Sequence, residues 1–267
     1  MATIHVFRTA ETQFDAEPKF RNARDSSLSE KGLEQCMKFS CHSGFLPLMQ
    51  HVTHVVSSPL CSSLYSCRIA FDRIVSSKTI IVRPELMDVG CPTPSFGSDK
   101  MKLFLMFGEQ VNLDALPNGW EDIDPSSEYA HYDLQKIKAR TSAGRRWLMD
   151  LARTAGEKAH IVVMTHGQTA HLLTDDFQGV EPPYSANWDG DLSWRSYKFD
   201  FAAEKMVETP SSRVRRGVSA DINTFTEDEN DRIRAMIEDR IEKRAPLVQA
   251  YQAEHCQIEA TRYQVVT

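Results

Sequence analysis

Four short segments hold the side chains whose types and spacing suit chemistry: Arg8-Thr9-Ala10-Glu11, Ser58-Pro59-Leu60-Cys61-Ser62, Glu85-Leu86-Met87-Asp88 and Thr165-His166-Gly167. A guanidinium such as Arg8 anchors an anionic oxygen, and an imidazole such as His166 exchanges a proton near neutral pH. Glu11 or Asp88 would be the carboxylate partner of that imidazole, while Thr9 and Ser62 complete a binding set. Each residue also has a plainer reading. His166 is then a structural histidine, Arg8 an ion pair with Glu11 or Asp88 that plugs the site, Thr9 a hydroxyl donor or steric filler, Glu11 a solvated loop carboxylate, and Ser62 a helix N-cap. His171 and His131 read as pocket-edge residues or, more plainly, as surface or packing residues. Six cysteines (Cys36, Cys41, Cys61, Cys67, Cys91 and Cys256) include no CxxC pair and no zinc-like spacing with histidine. They are expected to be buried thiols, with no metal and no cofactor.

What must position these segments is a set of strands that stop just before them. Thr3-Ile4-His5-Val6-Phe7, Val52 to Val56, Thr79 to Val82 and His160 to Met164 are short apolar runs of the kind covered on both faces. Between them, Ser29 to Gln35, Ser62 to Ile74 and Leu134 to Ala155 carry helical periodicity. Strands alternating with helices predict an α/β three-layer sandwich with a mostly parallel central sheet, whose site lies beyond the carboxyl ends of the strands. Tyr129, Tyr184, Trp188 and Trp194 fall in loop-like stretches and are expected to roof the pocket, suiting an organic substrate.

At 267 residues the chain accommodates one large domain with a tail. The reading divides it into an α/β domain at 1–210 and, at 211–267, a linker with a C-terminal helical extension. Ser196 to Val207 reads as a closing strand and its turn, and Ser211 to Gly217 as an exposed basic linker. Thr226-Glu227-Asp228-Glu229 resembles a capping box ahead of Ile233, Met236, Ile237 and Ile241 on one helical face, with Pro246 as a point of bending. That face either packs on its own domain or makes a subunit contact, such as a homodimer, or a lid. A net charge of −6 argues against nucleic acid as a partner. With neither a signal-like start nor an apolar stretch long enough to span a bilayer, the expectation is a cytoplasmic protein with no membrane partner.

Taken in order, the segments resemble the histidine phosphatase superfamily (phosphoglycerate-mutase-like), specifically a fungal branch, over roughly residues 3 to 217. Ile4 to Ala10 sits where that family has a strand followed by Arg-His-Gly or Arg-His-Ala. Asp25 to Gly32 is similar to its next loop and helix start, Ser58-Pro59-Leu60 to its Ser-Pro-Leu turn, Pro84 to Asp88 to its Pro-Glu-Leu-x-Glu segment, and Thr165-His166-Gly167 to its second histidine. Asn118-Gly119-Trp120 and Trp194 to Phe199 also resemble that branch.

The resemblance implies a phosphate pocket in which a first histidine attacks phosphorus, two arginines and a second histidine hold its oxygens, and a carboxylic acid protonates the leaving group. Here Thr9 stands at the nucleophile position, and a threonine hydroxyl needs its own base. Cys61-Ser62 stands where the second arginine follows the turn, a loss on the scale of ~3–4 kcal/mol of transition-state stabilisation. Asp88 shortens the acid, Glu11 brings a carboxylate near an anion pocket, and Cys91-Pro92-Thr93-Pro94-Ser95 stiffens one wall. The expectation is therefore an enzyme that forms no phosphohistidine: Arg8 anchors a small anionic or carboxylate-bearing metabolite, and His166 moves a proton with Glu11 or Asp88. Isomerisation, dehydration, cyclisation and hydrolysis all fit, and fungal secondary metabolism follows by analogy. The rival expectations are a catalytically dead binding module and a weak residual phosphatase.

Overall fold

Runs of β-branched and aromatic residues too short for stable helices form the middle of the molecule. The computed structural model describes residues 1–17, 19, 23–89, 96–121, 129, 133–178, 180, 188, 190–218 and 226–265. In it, β1 (Thr3–Arg8), β2 (Val52–Ser57), β3 (Ile80–Val82), β4 (Val111–Asn112) and β5 (His160–Thr165) lie parallel, and β6 (Trp194–Asp200) and β7 (Lys205–Glu208) add an antiparallel hairpin at one edge. The order across the sheet is β4-β3-β2-β5-β1-β6-β7.

Side chains alternate across each strand, so neighbours in sequence enter different cores. Phe7, Val55, Val162 and Met164 join one cluster with residues of α2 (Glu30–Phe39), α4 (Cys61–Ala70) and α6 (Lys100–Phe107). Val6, Val56, Ile161 and Val163 join the other, with α7 (Leu134–Ala155) and α8 (Gly167–Thr174). This gives the three layers expected. Burial of each such side chain contributes roughly 1.5–3 kcal/mol, which outweighs local propensity.

Helix limits follow local chemistry. Asp133 caps α7 by accepting from Lys136 N–H, and Gly156 ends it at φ 92°. Ser29 caps α2, whose Gly32 has no alternative: a Cβ there would lie 2.1 Å from the Glu11 carbonyl oxygen. Ser62 to Ile74 is not one helix. It divides into α4 and α5 (Asp72–Val75) at Phe71, whose ring is drawn into contact with Phe7 and Phe39, 5.0 and 5.7 Å between centroids. Two further single-turn helices, α1 (Gln13–Ala16) and α3 (Leu46–Met49), shape the loops between β1 and β2.

The exposed linker expected from Ser211 is instead α9 (Pro210–Arg215), so a division at 210/211 falls inside a helix. Thr209 caps it, buried Ser212 accepts from Ser196 N–H at 2.9 Å, and Arg216 grips Glu208, which fastens α9 to the hairpin. Thr226 and Glu229 form the reciprocal cap of α10 (Glu227–Val265), which continues through Pro246. Ile237 and Ile241 are buried against Leu134, Ile137, Leu172 and Phe177, and Arg234 pairs with Asp175. This part of the apolar stripe is therefore covered by its own domain. No helix among the described residues is long and apolar enough to cross a membrane.

Candidate active site

Strand register brings the four segments together. Arg8 pairs with Thr165 and Ser57 with Met164, so β1, β5 and β2 end abreast. Beyond the last pairs, Thr9 N–H still donates to Thr165 O and Ser58 N–H to Met164 O, at 2.8 and 2.9 Å. His166 follows directly as the residue before α8.

His166 is buried, and its Nε2 lies 3.1 Å from Ser58 Oγ and 3.2 Å from Ser63 Oγ. Burial lowers its pKa, the positive charges of Arg140 and Arg8 add to the effect, and Asp88 and Asp15 oppose it. The imidazole is neutral at physiological pH, the form that accepts a proton. Asp88 sits in a segment whose carbonyls at Leu86, Met87 and Asp88 accept side-chain hydrogen bonds. Arg140 donates to Met87 O and Asp88 O at 3.0 and 3.2 Å, Thr165 to Leu86 O at 2.7 Å and Thr169 to Met87 O at 2.8 Å. Asp88 Oδ1 itself accepts from Val89 N–H at 2.8 Å. Buried Arg140, its pKa pushed down to about 10 mainly by desolvation, thus holds Asp88 in the field of His166.

Thr9 is buried in a chain of hydroxyls. Ser66 Oγ donates its one hydrogen to Ser62 O at 2.8 Å, so the 3.1 Å contact between Thr9 Oγ1 and Ser66 Oγ has Thr9 as donor. Neither Ser66 nor the Ala10 carbonyl, 3.4 Å away, is a base that would activate Thr9. Ser62 is not an N-cap: Leu60 holds that place without a side-chain bond, and Ser62 lies within the first turn of α4. The cap comes from Asp25, which accepts from Cys61 N–H at 2.7 Å, Cys61 Sγ at 3.0 Å and Ser98 N–H at 2.9 Å. Burial raises the Asp25 pKa against those hydrogen bonds and pushes the Cys61 thiol up as well.

Arg8 is ion-paired, but with Asp191 at 3.0 Å and not with Glu11 or Asp88. Asp191 also accepts from Gln35 Nε2 at 3.3 Å. Glu11 is not brought to His166. Its oxygens accept from Ser29 Oγ at 2.8 Å and Lys31 Nζ at 2.6 Å, and the Lys31 bond holds its pKa below the ordinary value. It belongs to the start of α2. The antiparallel pairing of β6 with β1 sets the residues before Trp194 beside those after Phe7, which is the signal that would have located Asp191.

The expected aromatic roof is corrected too. Trp188 is fully buried under Arg195, 4.1 Å from the guanidinium carbon, and Trp194 stacks on Phe7 at 5.5 Å, so both are core. Tyr129 packs partly buried against the same cluster as Phe7. His171 is a packing residue, its Nδ1 2.6 Å from Asp176 O. Cys91 to Ser95, His131 and Tyr184 lie outside the described residues, as does the side chain of Cys256. Cys36, Cys61 and Cys67 are buried thiols, whereas Cys41 is exposed. Among the described residues, no group of His, Cys, Asp and Glu could hold a metal ion.

The family described as histidine phosphatase superfamily (branch 1) matches residues 4–205. No curated protein matches the sequence. Of the solved structures, phosphoglycerate mutase from Bacillus anthracis str. Sterne is similar at TM-score 0.50 and 16% identity, covering 78% of this chain and 91% of that one. Phosphoserine phosphatase from Entamoeba histolytica, in complex with 3-phosphoglyceric acid, gives TM-score 0.46 at 18% identity over 78% and 95% of the two chains. Ecdysone phosphate phosphatase from Bombix mori, in complex with tungstate, gives 0.47 at 12% over 78% and 92%. At such identities the likeness to the mutase is one of fold.

Proposed function

This chain belongs to the histidine phosphatase superfamily, branch 1, and on that premise we propose that it forms no phosphohistidine and works instead by proton transfer on a small anionic or oxygenated metabolite. The observation that carries this is the pairing of an unactivated Thr9 at the end of β1 with a neutral His166 at the end of β5. A hydroxyl that donates to another hydroxyl has no base to make it a nucleophile. His166, in contrast, has hydroxyl partners on Nε2 and a carboxylate, Asp88, acting on it from a clamped segment. Arg8 anchors the substrate anion. Its pair with Asp191 leaves about a fifth of each side chain exposed, so a substrate carboxylate can reach the guanidinium and take the place of Asp191. The degenerate pocket, a place in fungal secondary metabolism and a cytoplasmic location belong to the same proposal.

The test has two parts. The purified protein should release no phosphate from p-nitrophenyl phosphate or phosphoglycerates and should carry no acid-labile phosphohistidine; stoichiometric phosphoryl-enzyme would overturn the proposal. In a host expressing the protein, an Arg8→Ala/His166→Ala variant that melts like wild type should accumulate an unprocessed precursor.

A second reading, a binding module without catalysis, is favoured by the way charges are already matched: Arg8 by Asp191 and Glu11 by Lys31. Unchanged metabolites in the folded double variant would select it.

A further inference from the structure

A second concave site lies at the other end of the sheet. Between the amino ends of β1 and β5, the β6–β7 hairpin, α3 and α9 is a cleft of about 560 Å³, within the ~300–1,000 Å³ typical of small-ligand sites. His5 pairs in register with Ser196, and Thr3 with His160, so one face of the sheet turns all four residues to this space. His5 Nδ1 lies 2.9 Å from Ser196 Oγ, and His5 Nε2 lies 2.8 Å from His160 Nδ1, with the two rings stacked. The result is a hydroxyl–imidazole–imidazole chain that ends in the cleft.

The charges around that chain are mostly of one sign. Lys198 and Arg215 line the same cleft, and the His51 ring is 5.8 Å from that of His160. The carboxylate in the lining, Glu208, is buried and tied at both oxygens by Arg216, at 2.9 and 2.8 Å, with Ser212 Oγ donating at 2.6 Å. After burial, the protonated form of each imidazole is opposed by its neighbours, His160 and Arg215 for His5 and His51 and Lys198 for His160. Leu48, Val207 and Pro210 supply an apolar wall.

We propose that this cleft binds a small molecule carrying a carboxylate or phosphate on an apolar body, and that His160 takes up a proton from solvent as the anion enters. Lys198 and Arg215 attract the anion, and the anion in turn offsets the field that keeps His160 neutral. In the tautomer this proposal requires, His160 Nδ1–H donates to His5 Nε2 and His5 Nδ1–H donates to Ser196 Oγ, so that His160 Nε2 takes the added proton without rearrangement. This site is separate from Arg8 and His166 and does not depend on what they do.

The experiment follows histidine Cε1–H resonances of the full chain titrated with inorganic phosphate and, separately, with hexanoate at fixed ionic strength. A saturable shift of the His160 signal and a raised His160 titration midpoint are expected with at least one probe; phosphate alone assigns a phosphorylated ligand, and hexanoate alone a carboxylate. Lys198 is exposed, so Lys198→Glu should keep the fold and weaken binding about tenfold or more. Arg215→Gln should act in the same direction, and Arg8→Ala, whatever it does at the opposite end of the sheet, should leave the His160 shift as it is. Absence of a saturable shift with both probes, a shift that Lys198→Glu leaves intact, or one that Arg8→Ala removes would each overturn the proposal.

Discussion

The two ends of one sheet each hold a buried imidazole among serines, His166 with Ser58 and Ser63 and His5 with Ser196, yet their electrostatics differ. At the carboxyl ends, charges are matched in pairs: Arg8 with Asp191, Arg83 with Glu85, Glu11 with Lys31. At the amino ends, Lys198 and Arg215 face two imidazoles while the nearby carboxylate is held by Arg216. Register decides which positions meet. The charges placed there decide whether the meeting point exchanges protons with a weakly held substrate or attracts an anion outright.

The largest effect that tests this contrast is at His166. Replacing it with Ala or Gln should lower the rate of product formation by roughly 10²–10⁴, measured by precursor turnover, with the melting temperature near wild type. Arg8→Ala should instead raise KM, and lower kcat as well if the charge it faces grows in the transition state.

Next comes the missing phosphate chemistry. Thr9→His alone should restore little phosphatase activity, because Ser62 supplies no guanidinium; Thr9→His with Ser62→Arg should do better by about 10²–10³, the scale of a lost oxyanion donor. Family-like rates from the single change would show that the second arginine matters less than argued. A smaller step, severalfold, is expected from Asp191→Asn, which removes the carboxylate that competes for Arg8 and should tighten binding of a small carboxylate at that end, read by calorimetry.

A separate effect, on stability, is a pH slope shared by both ends. Burial holds His5 neutral, with its pKa lowered to about 3, and lowers His166 and His160 as well. Below the unfolded value near 6.5 the unfolded chain binds protons first, so this stability is complete above that pH and declines as pH falls toward 3. The raised pKa of Asp25 works in the opposite sense. Thermal melts between about pH 7 and about pH 4 should show a decline no steeper than about 1.4 kcal/mol per pH unit for each group. A His5 ring resonance that titrates at the ordinary histidine value in the folded protein would mean that His5 is solvated.

β1, β2, β3 and β5 were legible because each is a continuous apolar run, and α7 because its apolar residues keep a helical spacing. Two-residue β4 carries too little pattern to detect, since its place depends on pairing with Ile80 and Ile81. The break at Phe71 is likewise a tertiary demand that helical periodicity does not register. In the site, Arg8, Thr9, His166 and Asp88 could be named from their position after strands. Their partners Asp191, Ser63, Ser66 and Arg140 could not, because each arrives from a distant segment through sheet register or helix packing. Glu11 misled for the opposite reason: it is close to Thr9 in sequence, but its local bonds to Ser29 and Lys31 turn it toward α2.

The strand order has a consequence for how the protein is made. β1 is synthesised before both of its neighbours in the sheet, β5 and β6, which set Thr3 against His160 and Phe7 against Trp194. Until those later strands are made, this apolar strand has both hydrogen-bonding edges open, and neither His5 nor Arg8 has its eventual surroundings. Such long-range pairing makes folding slow and leaves nascent chains prone to association. A chain stalled or cut before β6 would present a bare β-edge, a surface for chaperones and for aggregation alike.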